Sequence, residues 1–130
     1  MTSRFTEIIV DCRDPKALGE FWRQVLGYEV VDDSHGIVEI AASPTDWDAV
    51  RAGPMPPTIV FGPVPEPKTV KNRLHIDVNP IDSTQEAEVG RLIALGARRI
   101  DIGQGDVHWV VMADPEDNEF CVLKSLLDEG

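Results

Sequence analysis

Hydrophobic and polar residues alternate at the start of the chain, and a helical pattern follows. Over residues 5–12 the alternation divides the side chains between the two faces of a strand. One face carries Glu7, Ile9 and Asp11, and the other carries Ile8, Val10 and Cys12. Asp14 and Pro15 then have the composition of a helix N-terminus, and an apolar stripe continues to Gly27. The pattern predicts a strand with one apolar and one acidic face, followed by a helix.

The same order occurs again about 68 positions later. Residues 73–78 alternate, with Leu74, Ile76 and Val78 on the apolar side. Residues 83–86 have the spacing of a capping box, and Gly96 ends the second helical stripe. A shift of 68 positions aligns Glu7 with His75, so the chain looks like two copies of one strand-helix-strand unit.

Further short apolar runs complete each copy. They predict strands over residues 28–32, 37–41 and 58–61 in the first copy and 99–102, 107–113 and 119–124 in the second. Residues 43–57, rich in proline, predict an irregular loop that carries Trp47. We therefore predict an α+β fold in a single domain, residues 1–130. Two βαβββ modules, at about 5–62 and 72–125, form a cupped mixed sheet with the helices outside.

Composition limits which partners the protein is expected to bind and where in the cell it is expected to lie. A net charge of −11 argues against binding to nucleic acid. No apolar run approaches the roughly 18 residues of a membrane span. The N-terminus lacks a secretion-signal pattern, which predicts a cytoplasmic protein in which Cys12 and Cys121 are reduced, packed thiols. Repeated modules with open sheet edges predict a homodimer.

The strand residues that face away from the helices are the candidates for chemistry. They are Glu7, Ile9, Asp11, Arg73, His75, Asp77, Glu119 and Cys121. Imidazole, carboxylate and thiolate are common ligands of divalent metals. Trp47 in the loop and Trp109 in a late strand are candidate walls of a ligand pocket. The inward carboxylates outnumber the single cation, Arg73, which predicts preference for a neutral or cationic aromatic ligand over an anion.

Three segments resemble the glyoxalase / bleomycin-resistance / extradiol-dioxygenase superfamily, also called vicinal oxygen chelate proteins, and most closely its short bacterial glyoxalase-like branch. They are the helix that closes Phe21-Trp22…Leu26-Gly27, the run KNRLHID at 71–77 and the run ADPEDNEF at 113–120. The resemblance implies two modules around a small-molecule cleft, formed within one chain or across a dimer.

In catalytic members, the resemblance implies one divalent metal held from four strands. The corresponding places here are Glu7, about Val60, His75 and Cys121. His75 is the usual residue at its place, whereas Val60 cannot ligate and Cys121 stands where glutamate is expected. Glu119 faces the same way, one strand step of about 6.6 Å from Cys121.

Two interpretations of this site follow. In the first, Glu7, His75 and Cys121 hold a divalent metal with open positions for substrate. In the second, the pocket has no metal cofactor and His75 bonds a carboxylate such as Asp77 or Glu7. We favour the second, because losing two of four ligands removes most of a site's affinity.

The predicted function is small-molecule binding, and the sequence identifies no catalytic residue. The alternatives are a metal-dependent lyase, isomerase or dioxygenase of the same superfamily and a non-catalytic protein-interaction module.

Overall fold

Each half of the chain folds into a four-stranded mixed sheet with its own long helix. The structure, a computed structural model, describes residues 1–128 and divides into two compact units, the first Met1–Pro67 and the second from Lys68 onward. In the described part of the chain, no helix is both long enough and apolar enough to cross a membrane.

The first module contains four strands and two helices: β1 (Glu7–Cys12), α1 (Pro15–Leu26), β2 (Glu29–Asp32), β3 (Val38–Ala41), α2 (Trp47–Ala52) and β4 (Thr58–Pro63). The strand order is β1-β4-β3-β2. β1 and β4 are parallel, and the remaining pairs are antiparallel. The first strand of the module therefore lies beside its last.

The second module repeats this arrangement with shorter strands: β5 (Ile76–Val78), α3 (Gln85–Leu95), β6 (Arg98–Arg99), β7 (Val110–Ala113) and β8 (Glu119–Val122), followed by a 3₁₀ turn, Leu126–Asp128. The order β5-β8-β7-β6 is that of the first sheet, again with its first and last strands parallel. The α+β class and the two βαβββ modules are confirmed.

Local sequence explains the bounds of α1. The Asp14 side chain accepts a hydrogen bond from the Ala17 amide at 3.1 Å, and Gly27 ends the helix in the left-handed conformation. The buried stripe includes Leu18, Phe21 and Trp22. Gly19 lies so close to β3 that an added Cβ would be 2.8 Å from the Val38 Cγ1 atom. The sheet is therefore packed against helix backbone at this point.

The loop prediction for residues 43–57 is wrong in part, because α2 forms within it. Asp46 caps this helix by accepting hydrogen bonds from the amides of Asp48 and Ala49, each at 3.1 Å. The prolines of the segment lie outside the helical residues and do not interrupt them.

Several boundaries in the second module also differ from prediction. The strands predicted at 99–102, 107–113 and 119–124 are found at Arg98–Arg99, Val110–Ala113 and Glu119–Val122. Helix α3 starts one residue later than the capping box predicts: Thr84 is the N-cap, and Glu86 pairs with Arg99 at 2.6 Å. Strand β5 starts at Ile76, and Leu74, predicted to be apolar-facing, is 86% exposed. The alternation of residues therefore gave a wrong prediction before Ile76, because the chain pairs with β8 only from Ile76 onward.

Candidate functional site

The sheet of the first module has an open face that carries several of the predicted residues. Glu7, Ile9 and Asp11 are exposed, whereas Val10 is half-buried and Cys12 is buried. Ile8 is 37% exposed, so the predicted division of β1 between two faces holds only toward its C-terminal end. Ile9 pairs with Val60, which also pairs with Glu39. Because register partners share a face, Glu7, Asp11, Val60 and Glu39 project from this side. Helix α1 packs against the opposite side, over Val38 and Phe61.

A cavity of about 410 Å³ lies at the Glu7 end of this open face. Strand residues form its floor, and the segment after β3 forms a wall that includes Trp47 and Met55. Trp47 is 65% exposed. Arg4 donates a hydrogen bond to the Val50 carbonyl at 2.8 Å, which ties the N-terminal segment to α2. Glu7 and Trp47 are thus brought together in one cavity.

The cavity is acidic. Three of its lining residues carry carboxylates, Glu7, Glu39 and Asp46, and none of its described lining residues is Lys or Arg. Sequence reasoning missed Glu39. The signal was a single carboxylate within the apolar run that became β3.

In the second module, three predicted residues converge. His75 precedes β5, and Asp77 lies in β5 directly opposite Cys121 of β8. The His75 Nε2 and Asp77 Oδ1 atoms are 3.1 Å apart, so Asp77 is the carboxylate partner that the metal-free interpretation expected. One potential ligand atom from each residue lies within 4.8 Å of the others. Burial, followed by the charge and hydrogen bond of Asp77, raises the pKa of the Cys121 thiol.

Glu119 anchors the segment that leads into His75. Its side chain is 10% exposed and accepts hydrogen bonds from Lys68 Nζ at 2.6 Å and from the Asn72 amide at 2.9 Å. Burial is the largest single influence on the pKa of Glu119 and raises it, but the bonds from Lys68 and the backbone outweigh burial, so the pKa is lowered. This candidate ligand-binding residue is thus paired within its module.

The turn between β7 and β8 is built around a buried carboxylate. Asp114 is 1% exposed and accepts hydrogen bonds from the amides of Glu116 and Asn118 and from the Asn118 side chain. Asn118 in turn accepts one from the Asn72 side chain at 2.8 Å. The interval between the strands predicted at 107–113 and 119–124 indicated a connection here, whereas its link to Asn72 was not predicted.

The remaining candidates, Arg73 and Trp109, are exposed and lie just before β5 and β7. Of the four metal-ligand places that the family resemblance implies, Val60 offers only hydrocarbon. The three donor types that converge, imidazole, carboxylate and thiol, all belong to the second module.

Two βαβββ modules of identical strand order, with polar residues on their sheets, define an α+β protein built from a duplicated unit. Residues 7–123 match the family model described as a glyoxalase-like domain, and the chain therefore belongs to this family. No curated protein matches the chain.

Solved structures with the same fold include a glyoxalase/bleomycin resistance protein/dioxygenase family enzyme from Burkholderia phytofirmans PsJN. It is 21% identical, the match covers 92% of this chain and 97% of that one, and the TM-score is 0.60. The fosfomycin resistance protein FosX from Mesorhizobium loti is 13% identical, with 99% and 97% covered and a TM-score of 0.66.

A mutant FosX from Listeria monocytogenes, complexed with Mn(II) and a dihydroxypropylphosphonic acid, is 15% identical, with 99% and 95% covered and a TM-score of 0.63. At these identities the similarity shows the shared fold. The family match identifies the chain as a glyoxalase-like domain, and its structural neighbours include members of the glyoxalase/bleomycin resistance/dioxygenase superfamily.

Proposed function

We propose that this glyoxalase-like protein binds a small molecule that is neutral or cationic and carries an aromatic group. The observation that supports the proposal is the acidic, tryptophan-walled cavity of the first module. Its volume of about 410 Å³ lies within the range of about 300 to 1,000 Å³ that is typical of small-molecule sites.

The charges around the cavity support the preference for a cation. Asp46 already accepts two amide hydrogen bonds as the cap of α2, which leaves Glu7 and Glu39 as the carboxylates best placed to face a ligand. Trp47 adds an exposed indole, whose face attracts a cation with about 0.5–2 kcal/mol. An anion in the same cavity is repelled by both glutamates.

Calorimetric titration with two bicyclic aromatics of similar size tests this proposal. N-methylquinolinium, a cation, is expected to bind at least about tenfold more tightly than naphthoate, an anion. Glu39→Gln should reduce this ratio, and Trp47→Ala should weaken the binding of the cation. Glu20→Gln, an exposed carboxylate of α1 on the opposite side of the sheet, is the matched control and should leave both affinities unchanged. Equal or tighter binding of naphthoate would overturn the proposal.

A metal-dependent lyase, isomerase or dioxygenase is the second candidate function. His75, at a family ligand place, favours it, as does the Mn(II) complex of the similar Listeria protein. In a metal-dependent enzyme, ligand binding depends on the metal ion, whereas binding in the first-module cavity requires no metal ion. Exhaustive dialysis against EDTA should therefore leave the affinity for N-methylquinolinium unchanged, and its loss would favour the metal-dependent function.

We also propose that the protein is a cytoplasmic homodimer, that residues 1–130 act as one domain, and that it binds neither nucleic acid nor membranes. Cys12 and Cys121 are both buried thiols, as is usual in the reducing cytoplasm, and the net charge of −11 repels nucleic acid. Edge strands β1 and β2 expose Ile9 and Val30, which a second copy can cover. Light scattering is expected to give about twice 14.4 kDa, and the mass of one chain at micromolar concentration would contradict the dimer.

A further inference from the structure

We infer that Arg4 is a positioning residue, which latches α2 over the first-module cavity and thereby slows the release of the ligand. The inference rests on the binding function proposed above and adds the residue that controls access to the same cavity. Arg4 is exposed and is not one of the residues that line the cavity. It precedes β1, whereas its hydrogen-bond acceptors lie in α2, 46 and 47 residues further along the chain.

Helix α2 has little of its own to keep it folded. It consists of six residues, Trp47–Ala52, and none of them is buried. Isolated helices shorter than about 12–15 residues are marginal in water, because forming the first turn costs more entropy than its one hydrogen bond offsets. Asp46 caps the N-terminal end, and the pair between Arg51 and Asp48 is exposed and lies within the helix. The helix therefore needs support from outside.

Arg4 supplies this support at the C-terminal end of α2. Its Nε atom donates a hydrogen bond to the Val50 carbonyl at 2.8 Å, and its Nη2 atom donates one to the Arg51 carbonyl at 3.4 Å. The last carbonyls of a helix have no partner within it, and a basic side chain that bonds them stabilises the helix end. The segment that carries Arg4 is itself fixed to β4, since the Thr6 carbonyl accepts a hydrogen bond from the Thr58 amide at 3.0 Å.

The face that α2 turns to the cavity includes Trp47. Trp47 and Val50 both line the cavity, and residues three apart lie on the same face of a helix. The N-terminal segment lines the same cavity through residues 5–7. Arg4 therefore joins two walls of the cavity. Without its hydrogen bonds, α2 unfolds more often and withdraws the indole that contacts the ligand in the proposed function.

Two substitutions of Arg4 separate the latch from an electrostatic effect, because both remove the same charge. Arg4→Met removes every donor, whereas the amide nitrogen of Arg4→Gln occupies the place of Nε and can still donate to the Val50 carbonyl. Loss of a positive charge beside an acidic cavity tightens the binding of a cation equally in both variants. Loss of the latch instead weakens binding in Arg4→Met alone.

Calorimetry and stopped-flow dilution of the N-methylquinolinium complex measure the difference. We expect Arg4→Met to bind N-methylquinolinium about fivefold more weakly than the unmodified protein and to release it faster, as suits the loss of one hydrogen bond to a charged donor. Arg4→Gln should restore the affinity to within about twofold of the unmodified protein. Equal affinities of the two variants would overturn the inference.

Hydrogen exchange in the ligand-free protein tests the latch without a ligand. The amides of Val50 and Gly53 donate to carbonyls of α2 and its cap, and they should exchange at least about threefold faster in Arg4→Met than in Arg4→Gln. The Leu18 amide of α1 is the control and should exchange at the same rate in both variants. Unchanged exchange in α2, or equal acceleration in α1 and α2, would also overturn the inference.

The two measurements distinguish failure of the latch from failure of the binding proposal. If the unmodified protein does not bind N-methylquinolinium, the binding proposal fails. Exchange that is faster in α2 alone then still supports the hold of Arg4 on α2, and exchange that is unchanged overturns it.

Discussion

Replacing Gly19 by leucine is expected to lower the free energy of unfolding by about 3 kcal/mol, a large part of the total stability of a small domain. A Cβ at this position would lie 2.8 Å from Val38 Cγ1 and 3.4 Å from a ring carbon of Phe61. Phe61 is completely buried, so neither β3 nor β4 can retreat from α1 without opening the core of the first module. Urea denaturation measures the loss.

A second helical glycine provides the control. Gly90 of α3 has no atom within 4 Å of an added Cβ, so Gly90→Ala should stabilise the protein by roughly 0.5–1 kcal/mol through helix propensity alone. Gly19→Ala gains the same propensity but meets Val38, and it should be the less stable of the two alanine variants. If Gly19→Leu and Gly90→Leu unfold at the same urea concentration, the close approach of α1 to β3 is not real.

Asp114→Ala is expected to lower the free energy of unfolding by about 3 kcal/mol. The substitution leaves the amides of Glu116 and Asn118 without their acceptor and releases the Asn118 side chain. Because Asn118 also binds the Asn72 side chain, the segment that leads into His75 should loosen as well. Amide hydrogen exchange after Asn72 is expected to accelerate along with the global loss of stability.

Asp101→Ala is the matched control for this prediction. Asp101 accepts a hydrogen bond at 2.7 Å from the amide two residues further on, that of Gly103, as Asp114 does from Glu116, but Asp101 is exposed to water. Water replaces the lost bond there, so the change in stability should remain within about 0.5 kcal/mol. If Asp114→Ala and Asp101→Ala lower the free energy of unfolding equally, burial of the Asp114 turn does not stabilise the fold.

Sequence predicted the parts of the fold that depend on neighbours along the chain. The alternation of β1 follows from residues 7–12 alone, and α1 follows from Asp14, its apolar stripe and Gly27. The repeat was visible for the same reason, since each module carries its own local signals. His75 and Cys121 were also expected to converge, and they do, although His75 precedes β5 and lies where the alternation did not hold.

The features that could not be predicted from the sequence depend mostly on contacts between segments that are distant along the chain. The pairing of Glu119 with Lys68 and the link from Asn118 to Asn72 leave no periodic trace in the sequence. Helix α2 was missed because flanking prolines dominate the composition of residues 43–57, while the helix itself needs only Asp46 and six residues. Asp77 was named as a partner of His75, but its place opposite Cys121 required the register of β5 and β8.

The adjacency of the first and last strands in each sheet affects how the protein is made. Glu7 pairs with Thr58, and Ile76 pairs with Phe120, so neither ladder can form until almost the whole module has left the ribosome. Until then β1 has no neighbour on either side, and its exposed Ile9 is open to other nascent chains. Slow synthesis through β4 therefore prolongs the interval in which the first module can aggregate. The corresponding interval is shorter for the second module, because β5 and β8 are closer in sequence than β1 and β4.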